Sequence, residues 1–318
     1  MYKSVIVSAI AATVFLTHAS AQDQAISSDR DALRSMARRF EMSYVVQAGT
    51  TSILSNELVS LAFELGSRKF VYGNTLIWLN DPLIREGSDQ TLARTDVIRI
   101  VEPLLNPART LTNQDVTTIV IDPGHGGTDT GALGIRHEHE KKIVLDIAKR
   151  TRKRLQVSGV NVKLTREKDQ AVELADRSAR GKKWGADLFV SIHINSARNR
   201  HAAGLETYLM PAAGFPSTSG NTSNVAACPG NKFDASNTLL AYYVHRSIVF
   251  KTGCADRGIR HARFDVLKEA SCPAILVECG FVSNGPEEDL LLQKEYRDSL
   301  ADGIAAGIME YVNGSRNK

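Results

Sequence analysis

The feature that most constrains the fold is the alternation of apolar strands with amphipathic helices from about Thr117 onward. The segments VTTIVID, DLFVSIHI and AILVECG are short apolar runs, as expected for strands that are covered on both faces. Helical patterns over residues 140–155 and 235–252 lie between them. This alternation predicts an α/β fold with a mixed, mostly parallel sheet flanked by helices.

Each of these three strands runs into an ionisable residue: His125, His193 and Glu278 respectively. Ligands of open α/β sheets bind beside the carboxyl ends of the strands. One such histidine alone is more often a structural group, but three ionisable residues together indicate a shared site. His125 also lies in the glycine-rich sequence DPGHGG, which lets the backbone turn sharply and leaves room beside the imidazole.

A further candidate comes from the segment HEHE, residues 137–140, where Glu140 opens a predicted helix and Glu138 is the alternative carboxylate. Two histidines and one carboxylate form the usual ligand set of a hydrolytic zinc ion, although copper or non-haem iron could use similar ligands. We therefore predict zinc, bound by His125, Glu140 and His193. Glu278 is the predicted catalytic carboxylate, which moves a proton during amide hydrolysis.

The first residues have the pattern of a cleavable signal peptide, predicted over 1–21: Lys3, an apolar run to Leu16, and the exit Ala19-Ser20-Ala21. The apolar run is too short to cross a bilayer, which takes ~20 residues. We therefore expect a periplasmic or secreted protein of the cell envelope, with no membrane span in the mature chain. Residues 22–108 predict a small α+β accessory domain, 109–116 a linker, and 117–318 the catalytic domain.

The charge pattern bears on binding partners, and the cysteine positions bear on disulfide bonds. The formal net charge of +4 is not clustered, and no stripe of aromatic and basic residues points to a nucleic acid. We expect a monomer. The accessory domain either binds the cell wall or a protein partner, or serves only as a packing or spacer domain. Cys272 and Cys279 flank one strand and would lie roughly 20 Å apart, which leaves Cys228 with Cys254 as the candidate disulfide.

Five sequence blocks resemble, in order, the zinc-dependent N-acetylmuramoyl-L-alanine amidases of the cell-division type, amidase type 3. They are VIDPGHGGTDTGALG, EKKIVLDIAKR, VKLTREKDQAVELADRSARG, ADLFVSIHINS and DRGIRHARFDVLKEASCPAILVECGFVSNGPEE. The resemblance implies a fold like that of the zinc exopeptidases and phosphorylase/hydrolase-like proteins. It places the zinc ligands on His125, Glu140 and His193, and the catalytic glutamate on Glu278.

The same resemblance implies the reaction: hydrolysis of the amide between the lactyl group of N-acetylmuramic acid and L-alanine in peptidoglycan, in wall remodelling or daughter-cell separation. Two alternatives are a zinc peptidase that cuts within the peptide stem, and a wall-binding protein without activity. Division-type relatives often carry an inhibitory helix before the final glutamate, but here residues 211–236 predict a loop. Asn195 could orient the site and Arg257 could pair with a substrate carboxylate, or both could stabilise the fold.

Overall fold

The computed structural model describes residues 29–111, 115–220 and 225–316, so the predicted signal peptide lies outside the described residues. The strands are β1 Arg30–Ala32, β2 Ser43–Gln47, β3 Thr51–Ser55, β4 Ser60–Glu64, β5 Lys69–Tyr72, β6 Thr75–Trp78, β7 Ile84–Glu86, β8 Asp89–Ala93, β9 Thr118–Pro123, β10 Asn161–Leu164, β11 Leu188–Asn195, β12 Leu205–Leu209, β13 Asp256–His261 and β14 Ala274–Phe281. The α-helices are α1 Leu33–Arg39, α2 Arg94–Asp96, α3 Glu102–Leu105, α4 Pro107–Thr110, α5 Glu140–Val157, α6 Leu174–Lys183, α7 Asp234–Thr252, α8 Asp265–Lys268, α9 Gly285–Leu292 and α10 Lys294–Arg316.

The central sheet has 11 strands in the order β10-β9-β11-β14-β12-β13-β6-β5-β4-β3-β2. Strands β10, β9, β11 and β14 are parallel to one another, β12 is antiparallel to β14, and β13 is parallel to β12. Strands β9 to β14 therefore form the predicted mixed, mostly parallel sheet flanked by helices.

Alternate residues of β9 point into two different apolar layers, because side chains of a strand alternate between its faces. Ile119 and Ile121 join the core that contains α5, α7 and α10, whereas Val120 packs with Val266 and Leu267 around α8. A sheet covered on both sides explains why its strands read as continuous apolar runs.

The N-terminal strands β2 to β6 form an antiparallel meander that continues this same sheet. Ile77 of β6 pairs with Ile259 of β13 in parallel orientation, and the Leu76 amide donates a 2.8 Å hydrogen bond to Asp256 Oδ2. Both ends of the sheet contribute to one apolar core. The dipeptide Gly73-Asn74 between two apolar runs predicts a hairpin. Strands β5 and β6 confirm it, with Gly73 at φ +59° in the turn.

Several local features differ from the sequence-based expectations. The sequence of residues 28–39 has a helical pattern, but the helix begins only at Leu33, after the short strand β1. Residues 96–105 also have a helical pattern, but a π-helical stretch, Val97–Val101, interrupts it. Residues 107–110, which overlap the predicted linker, are helical. Strands β3, β7, β8 and β13 were not anticipated, and within 211–236 the described residues before α7 hold only a 3-10 turn, Pro229–Phe233. The domain boundaries remain a prediction.

All four cysteines are free, so the candidate pairing of Cys228 with Cys254 is wrong. The physical reason is their position on opposite faces of the sheet. Cys228 packs against the layer around α8, whereas Cys254 packs against the core that holds α5, α7 and α10.

None of the helices in the described ranges combines the length and the apolar character that crossing a bilayer requires.

Candidate metal centre

Three side chains from separate elements converge at the carboxyl edge of the parallel strands. His125 follows β9, Glu140 is the first residue of α5, and His193 lies near the end of β11. One potential ligand atom from each lies within 4.8 Å of the others, and the two imidazole rings are 4.9 Å apart at 78°. These three side chains could hold one metal ion.

Glu140 lies between the two histidines. Its Oε1 is 3.2 Å from His125 Nε2 and 3.1 Å from His193 Nδ1, and it also accepts a 2.9 Å hydrogen bond from the Ile194 amide. Oε2 accepts a 2.9 Å bond from the Ala132 amide. Burial opposes ionisation of this carboxyl, but hydrogen bonds and charge from the two histidines outweigh it, so the pKa of Glu140 lies well below its usual range.

His125 is oriented by a second carboxylate, Asp129, which the sequence analysis missed. Nδ1 of His125 lies 2.8 Å from Asp129 Oδ2 and 2.9 Å from Oδ1, which leaves Nε2 directed towards Glu140. Burial lowers the pKa of His125, but its hydrogen bonds to the Glu140 and Asp129 carboxylates raise it more, so the net shift is upward. A carboxylate on the far ring nitrogen is a common support of metal-binding histidines, because it sets the tautomer and the ring orientation.

Small residues make room for these ligands. A Cβ atom at Gly124 would lie 2.2 Å from His193 Cε1, and one at Gly131 would lie 2.6 Å from Glu140 Oε2. His125 itself has a positive φ of 58°, a conformation that costs energy for a residue with a side chain. The glycine-rich sequence around His125 is therefore required by the close packing of the three candidate ligands.

Two buried arginines hold the loop that carries His125. Arg166 donates to the carbonyls of Pro123 at 3.0 Å and Gly124 at 2.7 Å, and burial lowers its pKa to about 10. Arg177 donates to the His125 carbonyl at 2.8 Å and to Asp122 Oδ1 at 2.8 Å. Both arginines lie in VKLTREKDQAVELADRSARG, one of the blocks that resemble the amidases. The sequence does not indicate that their side chains are buried, because a charged residue in a helix or after a strand is usually exposed.

Glu278 lines the same cavity as His125 and His193, which has a volume of about 280 Å³. Its Oε2 is buried and accepts no hydrogen bond from any residue that the structure describes. Burial raises the pKa of Glu278 well above its ordinary value, and the nearby carboxylates of Glu140 and Glu206 add to this shift. An acid kept free in this way is suited to taking up and releasing a proton.

The alternative carboxylate, Glu138, lies outside the cluster. Its Oε1 is 2.9 Å from Lys142 Nζ and accepts a hydrogen bond from the His139 amide. Glu140 lies in the cluster instead because it starts α5, where the helix directs it at the strand ends.

Asn195 and Arg257 both bind Glu206, a buried residue that the sequence analysis did not identify. Asn195 Nδ2 donates to Glu206 Oε2 at 2.9 Å, and Arg257 Nε donates to Oε1 at 2.9 Å. The Arg257 guanidinium also lies 4.9 Å from the ring centroid of Phe281. These contacts agree with the fold-stabilising alternative for both residues.

The fold and the cluster together define an α/β enzyme with a candidate metal site at the carboxyl ends of its strands. A family model described as N-acetylmuramoyl-L-alanine amidase matches residues 119–310. The chain belongs to this family of hydrolases, which confirms the family and the enzyme class expected from the sequence.

Individual relatives agree with this assignment. The amidase AmiA of Escherichia coli (strain K12) is 31% identical over 260 residues, which cover 74% of this chain and 90% of that protein. The sporulation-specific N-acetylmuramoyl-L-alanine amidase of Bacillus subtilis (strain 168) is 36% identical over 197 residues, or 61% of this chain and 68% of that protein. The solved catalytic domain of CwlV, an amidase of Bacillus (Paenibacillus) polymyxa var. colistinus, has a TM-score of 0.53 and 34% identity, covering 62% of this chain and 98% of that one.

Proposed function

We propose that this chain is a zinc-dependent amidase of peptidoglycan. It hydrolyses the amide between the lactyl group of N-acetylmuramic acid and the L-alanine of the stem peptide. The observation that carries this proposal is the convergence of His125, Glu140 and His193 beside Glu278, in a chain of the amidase family. The buried Oε2 of Glu278 accepts no hydrogen bond from the described residues.

The donor set supports zinc as the metal. Two imidazoles and one carboxylate form the ligand set of hydrolytic zinc sites that keep one position open. The clash that a Cβ atom at Gly124 or Gly131 would cause supports a cluster built for close approach of its donors. Bound by His125, Glu140 and His193, a zinc ion would supply the Lewis acid for amide hydrolysis.

Glu278 carries the proton in this proposal. Its carboxylate, which lines the cavity, takes a proton from the attacking water and delivers it to the leaving nitrogen of the alanine. Asp129 keeps His125 in one tautomer, and Arg166 and Arg177 hold the loop carbonyls so that the imidazole stays in place.

The cellular setting follows from the substrate. A wall polymer lies outside the cytoplasm, which agrees with the signal-peptide pattern of residues 1–21. We therefore place the enzyme in the periplasm or outside the cell. Its role there is cell-wall remodelling or separation of daughter cells.

The test combines metal analysis with mass spectrometry of digested peptidoglycan. The full-length protein is expected to bind one zinc ion per chain and to release intact stem peptides with L-alanine at the amino end. Products cut within the stem would contradict the amidase and would indicate a peptidase.

The matched variants are Glu278→Gln and Glu295→Gln. Removing the Glu278 carboxylate should lower the rate by ~10²–10⁴-fold, the usual contribution of a general acid–base group, while zinc binding is retained. Glu295 is exposed at the start of α10, and its replacement should change neither the rate of hydrolysis nor zinc binding. Unchanged lysis by Glu278→Gln would overturn the assigned role.

A further inference from the structure

A second cavity, of about 350 Å³, adjoins the cavity of the candidate metal centre. Arg263 and Phe264 line both cavities, so the two are neighbours with a common wall. The second cavity adds Arg260 and the hydroxyl-bearing residues Ser217 and Thr218. It contains none of the candidate metal ligands.

One of its walls has more positive charge than the surrounding acids neutralise. Arg260 Nη1 lies 3.3 Å from Glu206 Oε1, but that oxygen already accepts a 2.9 Å hydrogen bond from Arg257 Nε. Glu206 Oε2 accepts hydrogen bonds from Asn195 and from the Tyr208 hydroxyl. One buried carboxylate therefore faces two guanidinium groups.

Arg263 brings a further positive charge. Its Nη1 donates to the Ala226 carbonyl and its Nη2 to the Val225 carbonyl, both at 3.0 Å. Among the described residues, its buried Nε has no hydrogen-bond partner. No carboxylate lies within ion-pair distance of Arg263 in the described ranges, and residues 221–224, Asn-Thr-Ser-Asn, include no acid. Asp265, on the other cavity, pairs with Lys268 instead.

We propose that this cavity binds a carboxylate of the stem peptide, through Arg260 and Arg263. This proposal rests on the function proposed above. Guanidinium groups bind carboxylates through charge-assisted hydrogen bonds. The N-acetylated sugars of the substrate carry no free carboxylate once the lactyl group is in its amide, so the anionic group has to belong to the peptide.

The strand register indicates which residues of the peptide reach the cavity. Glu278 is paired with Glu206 on β12, and Tyr208 of β12 is paired with Arg260 on β13. Two strand spacings and two residues along a strand separate the Cα atoms of Glu278 and Arg260 by roughly 12 Å. An extended peptide covers that distance in about three residues, so the carboxylate belongs to the second or third residue of the stem.

The experiment compares two soluble substrates with the zinc-loaded, full-length protein. One is an N-acetylmuramoyl tripeptide with free carboxylates on its second and third residues, and the other has both converted to carboxamides. We expect kcat/KM to be about tenfold or more higher for the carboxylate substrate, the usual size of a charged hydrogen bond. Arg260→Gln and Arg263→Gln should each reduce this ratio towards one.

Further variants separate recognition from folding. Arg263→Lys keeps the charge and should retain more of the ratio than Arg263→Gln does. Arg246→Gln removes a half-exposed arginine of α7 that pairs with Glu310, and should leave the ratio unchanged.

Three outcomes would overturn the proposal. Equal kcat/KM for both substrates with the unmodified protein would refute the carboxylate subsite but not the amidase function. Arginine variants that lower kcat/KM equally for both substrates would show that these arginines have only a structural role. Failure to cleave either substrate would overturn the proposed function and this inference with it.

Discussion

At the scale of single residues, His261 is a buried base that the fold keeps neutral. Burial, reinforced by the charge of Arg68, lowers the pKa of His261 to about 3. A histidine in an unfolded chain titrates near ~6.5. As the pH falls below that value, the unfolded chain takes up a proton that the folded protein does not, so folding stability is lost.

This gives a pH prediction. Between about pH 7.5 and about pH 5, the unfolding free energy of the protein should fall by about 2 kcal/mol more than that of His261→Gln. Urea unfolding at several pH values measures this difference. His201→Gln, at an exposed position, is the control and should keep the steeper pH dependence of the unmodified chain. Parallel curves for the unmodified chain and His261→Gln would contradict the prediction.

Gly124 leaves the space that the His193 imidazole occupies. In Gly124→Ala the new Cβ atom would lie 2.2 Å from His193 Cε1, so the imidazole has to move away. Zinc affinity should fall about 10–100-fold, as when the support of a metal ligand is lost. Titration with a competing zinc chelator measures it. Gly285→Ala is the matched control, because only Ile135 Cδ1 at 3.9 Å is near its added atom; equal zinc affinity in the two variants would count against the argument.

At the scale of elements, Asp256 ties three parts of the fold together at the start of β13. Oδ2 accepts from the Leu76 amide at 2.8 Å, and Oδ1 accepts from His245 Nε2 at 2.9 Å and from the Gly258 amide at 2.7 Å. His245 is completely buried and also contacts the Thr207 hydroxyl at 2.9 Å. The carboxylate therefore connects β6, β13 and α7.

Asp256→Ala should destabilise the protein by about 3 kcal/mol, because it leaves buried donors without an acceptor. Denaturant unfolding measures the change. Asp89→Ala removes an exposed carboxylate that lies 3.6 Å from Arg34, and it should stay within about 0.5 kcal/mol of the unmodified protein. A loss for Asp256→Ala no larger than that of the control would show that the connection contributes little.

The elements around the candidate site could be predicted from the sequence, because apolar runs mark buried strands and their ends mark the edge of the sheet. His125, His193 and Glu278 follow from that pattern, and Glu140 from the start of a helix. Strand β13 could not be found, because DRGIRH is short and polar and is ordered by its neighbours β12 and β6. Arg177 and Asp129 were missed for a related reason, since their role depends on contacts made only in the folded chain.

At the scale of the whole molecule, the shared sheet and core predict a single unfolding transition. The chain has two tryptophans, Trp78 in β6 and Trp184 just after α6, one on each side of the β6–β13 pairing. Fluorescence of Trp78→Phe and of Trp184→Phe each reports one side. For each variant, we expect the unfolding midpoint measured by fluorescence to coincide with the midpoint measured by circular dichroism. If the fluorescence of one variant changed at a lower temperature or denaturant concentration than its circular dichroism, the shared sheet would be contradicted.

The pairing of β6 with β13 also has a consequence for how the protein reaches its folded state. The Leu76 amide and the Asp256 carboxylate that it binds are 180 residues apart in the chain. Contacts of such long separation slow folding, because a large loop has to close before they form. During synthesis the meander emerges long before its partner strand, and until that strand arrives the outer edge of β6 is open to wrong pairings with other chains.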